Sequence, residues 1–333
     1  MNRKKSIGRD GLLTAVAVSS MIIWNGMSAM AEDAVTIMAL KGPTAMGMVS
    51  FMKQSDQGEI TDEEYKFQIA ASPDEVTPAI VQGTADIAAV PANLASVLYQ
   101  KTDGGVQVLT INTLGVLYLV ENGTQIQDIS DLKGKTIYAS GKGATPEYAL
   151  NYILKENGLT PGEDVQIEWK SEHTECVVAL TEHTDAIALL PQPFVTTAQS
   201  KHESLRVALD LTEEWDSIQE KNGGNSSLVT GVTVVRTEFA LEYPEIVEDF
   251  LERYQESADY VNAHTEEAAE LIGDYDIVPE AIAKKALPAC NIVYIGGSEM
   301  KEKLSGYLEV LEQENPQSVG GALPEDDFYY DAE

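Results

Sequence analysis

Four short turns carry the residue types that can hold a small solute. Lys41-Gly42-Pro43-Thr44 and Gly141-Lys142-Gly143-Ala144-Thr145 each combine lysine, glycine and threonine. Lysine pairs with an anion, threonine offers a hydroxyl, and glycine lets backbone N–H groups come close to a ligand. The other two turns are Pro91-Ala92-Asn93 and Pro191-Gln192-Pro193, in which the Asn93 and Gln192 amides both donate and accept. Tyr118, Tyr148 and Phe194 can supply an apolar wall, and Ser227, Val229, Thr230 and Gly231 can close a pocket from a returning segment. Each residue also has a plain structural use: threonines cap helices, lysines are solvated, and aromatics fill cores.

Position favours ligand contact for the turns taken as pairs. Thr36-Ile37-Met38-Ala39-Leu40-Lys41-Gly42-Pro43-Thr44 is echoed by Thr136-Ile137-Tyr138-Ala139-Ser140-Gly141-Lys142-Gly143-Ala144-Thr145. Asp86-Ile87-Ala88-Ala89-Val90-Pro91 is matched by Asp185-Ala186-Ile187-Ala188-Leu189-Leu190-Pro191, after 50 residues in one half and 49 in the other. Two pairs in one order and one spacing describe a duplicated unit.

The elements that must hold these turns read as alternating strands and helices. Short β-branched or aliphatic runs at Val35–Leu40, Phe67–Ala71, Ile87–Val90 and Val106–Thr113 predict strands in the first unit. Thr136–Ala139, Gln166–Lys170, Ile187–Leu190 and Arg206–Leu209 repeat them in the second. Helical spacing falls between them, at Ala45–Lys53, Val76–Val81, Leu94–Tyr99 and Pro146–Glu156, the last with Thr145 as its cap and Gly158 after it. Alternation of this kind implies mostly parallel sheets with helices on both faces, and a ligand settling beyond the carboxyl ends of the strands. After a strand at Leu228–Val235 the pattern turns helical, at Pro244–Asn262, Thr265–Leu271, Pro279–Leu287 and Ser298–Glu314. The acidic tail is expected to dock through Phe328, Tyr329 and Tyr330. Residues 113–123 and 222–231 are the candidate crossings between units.

Charge and processing signals narrow the class. The 333 residues carry 22 Lys+Arg against 54 Asp+Glu, a formal charge of −32. Such a chain is repelled by phosphate backbones and anionic headgroups, which argues against nucleic-acid and membrane-surface binding. Arg3, Lys4, Lys5 and Arg9 precede an apolar run from Gly11 to Trp24, and Ala29-Met30-Ala31 follows. This order reads as a cleavable export signal over residues 1–31. Its loss leaves 18 basic against 53 acidic residues, or −35. No later stretch is long and apolar enough to span a bilayer. Cys176 and Cys290 are the two cysteines, and neither sits where a lipid would be attached. The export route permits a disulfide between them, although buried free thiols are the plainer expectation.

Enzyme signatures are poor. Gly141-Lys142-Gly143-Ala144-Thr145-Pro146 opens like a dinucleotide fingerprint but ends in proline. There is no G-x-S-x-G elbow and no phosphate-binding P-loop. Glu172, His173, Cys176 and His183 can be drawn as a metal cluster, but the spacing is not that of a metalloprotease and a solvated helical face is expected instead. No catalytic residue, metal or cofactor is expected.

At this point the chain resembles the exported substrate-binding proteins of ABC importers in the nitrate, sulfonate and taurine group, which also includes binders of pyrimidine vitamin precursors. The resemblance rests on the Thr-Ile-x-Ala turns and Gly83-x-x-Asp86-Ile87-Ala88. It rests further on Asp131-Leu132-Lys133-Gly134-Lys135-Thr136-Ile137 and on Tyr243-Pro244-Glu245-Ile246-Val247. It implies an α/β, two-lobe type II periplasmic-binding-protein fold with two crossing strands as hinge. Lobe 1 would be residues 32–115 plus 229–333 and lobe 2 residues 116–228. The implied role is that of a monomeric, extracytoplasmic binding protein serving a membrane permease and ATPase complex. The expected ligand is a small organic anion, such as a sulfonate, held by Lys41, Gly42, Pro43, Thr44, Pro91, Ala92, Asn93 and Tyr118. Gly141, Lys142, Gly143, Ala144, Thr145, Gln192, Pro193 and Thr230 would complete the site. A neutral heterocycle bound through Asn93, Gln192 and an aromatic face is the alternative ligand. An exported enzyme on the same scaffold is the alternative class.

Overall fold

Two sheets account for the strands of this computed structural model, which describes residues 34–183 and 185–331. The expected leader lies outside the described residues. In chain order the strands are β1 (Val35–Leu40), β2 (Tyr65–Ala70), β3 (Ile87–Pro91), β4 (Val106–Leu114), β5 (Leu117–Glu121) and β6 (Thr136–Ser140). They continue with β7 (Gln166–Lys170), β8 (Ile187–Pro191), β9 (Arg206–Asp210), β10 (Val229–Arg236) and β11 (Ile292–Ile295). The first half of the helices comprises α1 (Pro43–Met46), α2 (Val49–Asp56), α3 (Pro73–Val81), α4 (Ala92–Thr102), α5 (Thr145–Glu156), α6 (His173–Glu182) and α7 (Phe194–Lys201). Then follow α8 (Leu211–Asn222), α9 (Thr237–Glu242), α10 (Pro244–Ala263), α11 (Thr265–Asp274), α12 (Glu280–Ala286) and α13 (Gly297–Glu314).

One sheet has the order β2-β1-β3-β10-β4-β11 and the other β7-β6-β8-β5-β9. Their common part shows the duplication as register. Ile37 lies opposite Phe67 and Ile87, and Ile137 lies opposite Ile167 and Ile187. The sheets are mixed rather than mostly parallel. β5 runs antiparallel to β8 and β9, and β10 antiparallel to β3 and β4. The reason is the crossing itself. Only Gly115 and Val116 separate β4 from β5, so β5 starts at the edge where β4 ended and must run back. β10 does the same in the other direction, starting at Val229 beside Leu114.

The core is built in three clusters. One is shared by both sheets and by α13, joining Val90 and Val108 to Leu119, Ile137, Trp215 and Tyr307. A second belongs to the first sheet with α2, α10, α11 and α12. The third belongs to the second sheet with α6 and α7. Cys176 and Cys290 are buried free thiols in the third and second clusters respectively.

Several expected elements differ. β5 and β11 were not legible as strands, because β5 falls within the presumed crossing and β11 has only four residues. The helix expected over Ala45–Lys53 is broken into α1 and α2 around Gly47, where a Cβ would stand 3.0 Å from Ile292 and 3.1 Å from the Tyr254 hydroxyl. The tail docks as expected: Phe328 is fully buried, and the Tyr330 N–H donates to the Val108 carbonyl at 3.0 Å.

Candidate functional site

Because β4 ends, and β5 and β10 begin, at the edges where the parallel strands of each sheet end, those two sheet edges adjoin. Pro91, the last residue of β3, lies opposite Gly231 of β10. Pro191, the last of β8, lies opposite Leu117 of β5, and the Gln192 N–H donates to the Val116 carbonyl at 3.0 Å. The β3 and β8 turns therefore flank the crossings, and the β1 and β6 turns stand one strand further out in each sheet.

In the first sheet, Gly42 has φ +129° with open space around it, a conformation that favours glycine and lets the chain turn from β1 into α1. The Thr44 hydroxyl donates to the Leu40 carbonyl at 2.7 Å rather than capping a helix. Its methyl seats against Gly231, where a Cβ would come within 2.6 Å of Thr44 Cγ2. Lys41 is half-exposed and pairs with Asp276 at 3.6 Å. Asn93 Nδ2 reaches the Ser318 carbonyl at 3.4 Å, and Ala92 is buried. No acidic residue stands in the first turn of α1 or α4.

The second sheet's turns have a different dressing. The Gly143 N–H donates to Glu147 at 2.6 Å, so the start of α5 holds a carboxylate from its own chain. Ala144, not Thr145, precedes the helix, and the buried Thr145 hydroxyl accepts from the Tyr307 hydroxyl at 3.1 Å. Lys142 is exposed and makes no ion pair among the described residues. Gln192 is buried, and its amide oxygen accepts from the Thr196 N–H at 3.3 Å and hydroxyl at 2.9 Å. Pro193 then leads into α7. Tyr118 is buried and donates to the Ala289 carbonyl at 2.9 Å, and burial drives its phenol pKa well above the ordinary value. Beside the crossings, the buried hydroxyls of Thr212 in α8 and Thr230 in β10 have no hydrogen-bond partner among the described residues.

Two residues on this edge were missed in the sequence. Ser140 ends β6, and its Oγ lies 2.5 Å from Nδ1 of His173, the first residue of α6. The imidazole also packs on Phe194 with ring centroids 4.8 Å apart. His173 is thus half-buried between β6 and α7, not on the solvated helical face expected for it, and burial lowers its pKa and keeps it neutral. Its Nε2 has no protein partner among the described residues. The signal that could have found it is the duplication: His173 stands 100 positions after Pro73, which opens α3 at the same place in the first unit. Glu172, Cys176 and His183 do not join it in a metal-binding group, and none is present among the described residues.

The arrangement offers hydroxyls, one neutral imidazole, amides and one unpaired lysine on a shared edge. Ser140 is buried, and among the described residues no carboxylate meets the second nitrogen of His173, the place of the orienting member of a nucleophilic triad. Such a set suits holding a polar solute.

Residues 58–220 match the family model described as "ABC transporter, phosphonate, periplasmic substrate-binding protein". Residues 58–220 thus carry a substrate-binding domain of the ABC-transporter type. The fold is that of solved relatives at low identity. An ABC transporter protein from Parabacteroides distasonis aligns at 22% identity and TM-score 0.75, over 90% of this chain and 99% of that one. The periplasmic aliphatic sulphonate binding protein SsuA from Escherichia coli aligns at 14% identity and TM-score 0.68, over 91% and 94%. The alkanesulfonate-binding protein SsuA from Xanthomonas axonopodis pv. citri, bound to MOPS, aligns at 14% and 0.61, over 89% and 96%. No curated protein matches this binding protein by sequence. Among its described residues, no helix is long and apolar enough to cross a membrane.

Proposed function

We propose that this binding protein takes a small organic oxyanion of the sulfonate or phosphonate type and delivers it, as a monomer, to a membrane permease and ATPase complex. The solute sits between lobe 1, residues 32–115 plus 229–333, and lobe 2, residues 116–228. Export by the leader at 1–31 would place it outside the cytoplasm. The observation that carries this reading is the topology of the crossings, which sets matching turns of the two sheets along adjoining carboxyl edges. Ligands of open α/β sheets settle beyond such edges.

The anion is supported by chemistry on both rims. Lys41-Gly42-Pro43-Thr44 and Lys142-Gly143-Ala144-Thr145 bring two lysines to the edges of a strongly acidic chain. α4 and α7 begin beside Pro91 and Pro193 with no acidic residue in the first turn. His173 adds a neutral hydrogen-bonding group that, with Ser140, reads an oxyanion from lobe 2. Asn93, Tyr118, Gln192 and Thr230 shape the remainder. Closure follows from binding because a solute touching both lobes favours the arrangement in which both reach it.

A thermal-shift screen tests this with ethanesulfonate, methylphosphonate, nitrate and a hydroxymethylpyrimidine. Stabilisation by the first two alone supports the oxyanion. Stabilisation by the pyrimidine alone favours the heterocycle. Consumption of a stabilising compound by the purified protein would turn the reading toward an enzyme.

A further inference from the structure

We propose that the two lobes pivot about a seam built on α13 and gape at the opposite side, where α7 faces α12. The two faces of the molecule are joined in different ways. On the α13 face a single apolar core runs through both sheets, and Trp215 of the second sheet's α8 packs on Tyr307 of α13 with centroids 5.6 Å apart. The opposite face has two separate cores, one per sheet. Breaking a shared core exposes apolar surface to water, whereas parting two closed cores does not.

The polar contacts divide in the same way. α5 of lobe 2 is tied to the C-terminal segment by three side-chain bonds. The Tyr307 hydroxyl donates to Thr145, Asn315 Nδ2 donates to the Tyr148 hydroxyl at 3.1 Å, and Lys155 meets Glu314 at 2.7 Å. The same segment is anchored on the body of lobe 1, where the Ser96 hydroxyl donates to the Val319 carbonyl at 2.7 Å. α13 and its extension thus form a third, non-covalent crossing beside the two chain crossings. α7 and α12 approach each other, but among the described residues no side-chain hydrogen bond or ion pair joins them. Near them, among the described residues, the lobes are tied close to the crossings by the Tyr118 hydroxyl, which donates to the Ala289 carbonyl at 2.9 Å.

This inference rests on the two-lobe binding reading, and its test needs no ligand, so the two can fail separately. Spin labels are placed in the full mature chain as Ser200→Cys with Lys285→Cys across α7 and α12, and as Glu156→Cys with Gln313→Cys across the seam. The native thiols are buried, with Cys176 pushed up to about 11 and Cys290 to about 12, so labelling goes to the introduced surface cysteines. The expected result by pulsed electron resonance is a distance distribution roughly twofold or more broader for the α7–α12 pair than for the seam pair. Adding Lys155→Ala and Asn315→Ala is expected to broaden the seam pair. Equal widths, a broader seam pair, or a seam pair unmoved by those two substitutions would overturn the proposal.

Discussion

The two sheets share strand order and register over their common strands, yet their carboxyl edges are dressed differently. In the first, Lys41 is drawn to Asp276, the turns into α1 and α4 carry no acid, and the polar side chains are largely used inside the lobe. In the second, Lys142 has no ion pair, Glu147 occupies the Gly143 N–H, and Ser140, His173 and Phe194 form a cluster with no counterpart at Leu40, Pro73 and Leu94. A duplicated scaffold repeats the same turns, while the side chains on them have diverged more in one copy than in the other.

The largest effect that separates the halves is on stability. Glu121 in β5 is buried, pairs with Arg206, and accepts the Gln125 N–H at 3.1 Å. In the first sheet the acid of the comparable arginine pair is Asp86, just before β3, which is less buried while bonding Arg236 at 2.8 Å and the Thr36 N–H at 2.9 Å. Glu121→Ala leaves a guanidinium and amides uncompensated and is expected to cost about 3 kcal/mol in urea unfolding. Asp86→Ala should cost less, about 1–2 kcal/mol. Equal losses would erase the distinction.

Affinity gives the next contrast. With methylphosphonate as titrant, His173→Ala is expected to weaken binding about tenfold, since one hydrogen bond to a charged group is lost. Asn93→Ala should change it less, because that amide already faces Ser318. Glu147→Gln should tighten binding by about two- to fivefold by freeing the start of α5 from its internal carboxylate. Unchanged affinity would show that the anion does not meet that helix.

The smallest effect is a pH dependence of stability. Burial holds His173 below its ordinary value of 6.5 in the folded chain. Between that lowered value and 6.5 the unfolded chain binds a proton that the folded chain does not, so stability falls as pH drops through this window. His173→Gln should flatten the melting-temperature profile there relative to the unsubstituted protein. A parallel profile would place the titration elsewhere.

Much of the scaffold was legible because duplication doubles every signal. β1, β3, β6, β7 and β8 fell within one residue of their expected bounds, and the repeated runs proved to be the paired strands β1 with β3 and β6 with β8. β5 escaped because Leu117–Glu121 belongs to a buried strand that runs straight out of a two-residue crossing, with no turn before it. The mixed character of the sheets escaped with it. At the site, residue types were readable but partners were not. Thr145 looks like a helix cap until Tyr307, 162 positions later, arrives at its hydroxyl. His173 looks solvated until β6 and α7 close around it, which depends on strand order rather than on local pattern.

Calorimetric titration of ethanesulfonate and methylphosphonate into the purified mature chain, side by side with the Lys41→Met, Lys142→Met double substitution, tests binding between the lobes most directly. Saturable one-to-one binding of at least one of them, weakened and made less salt-sensitive by the double substitution, is the expected result. No binding of either, or binding whose affinity and salt dependence are the same in both proteins, would contradict it.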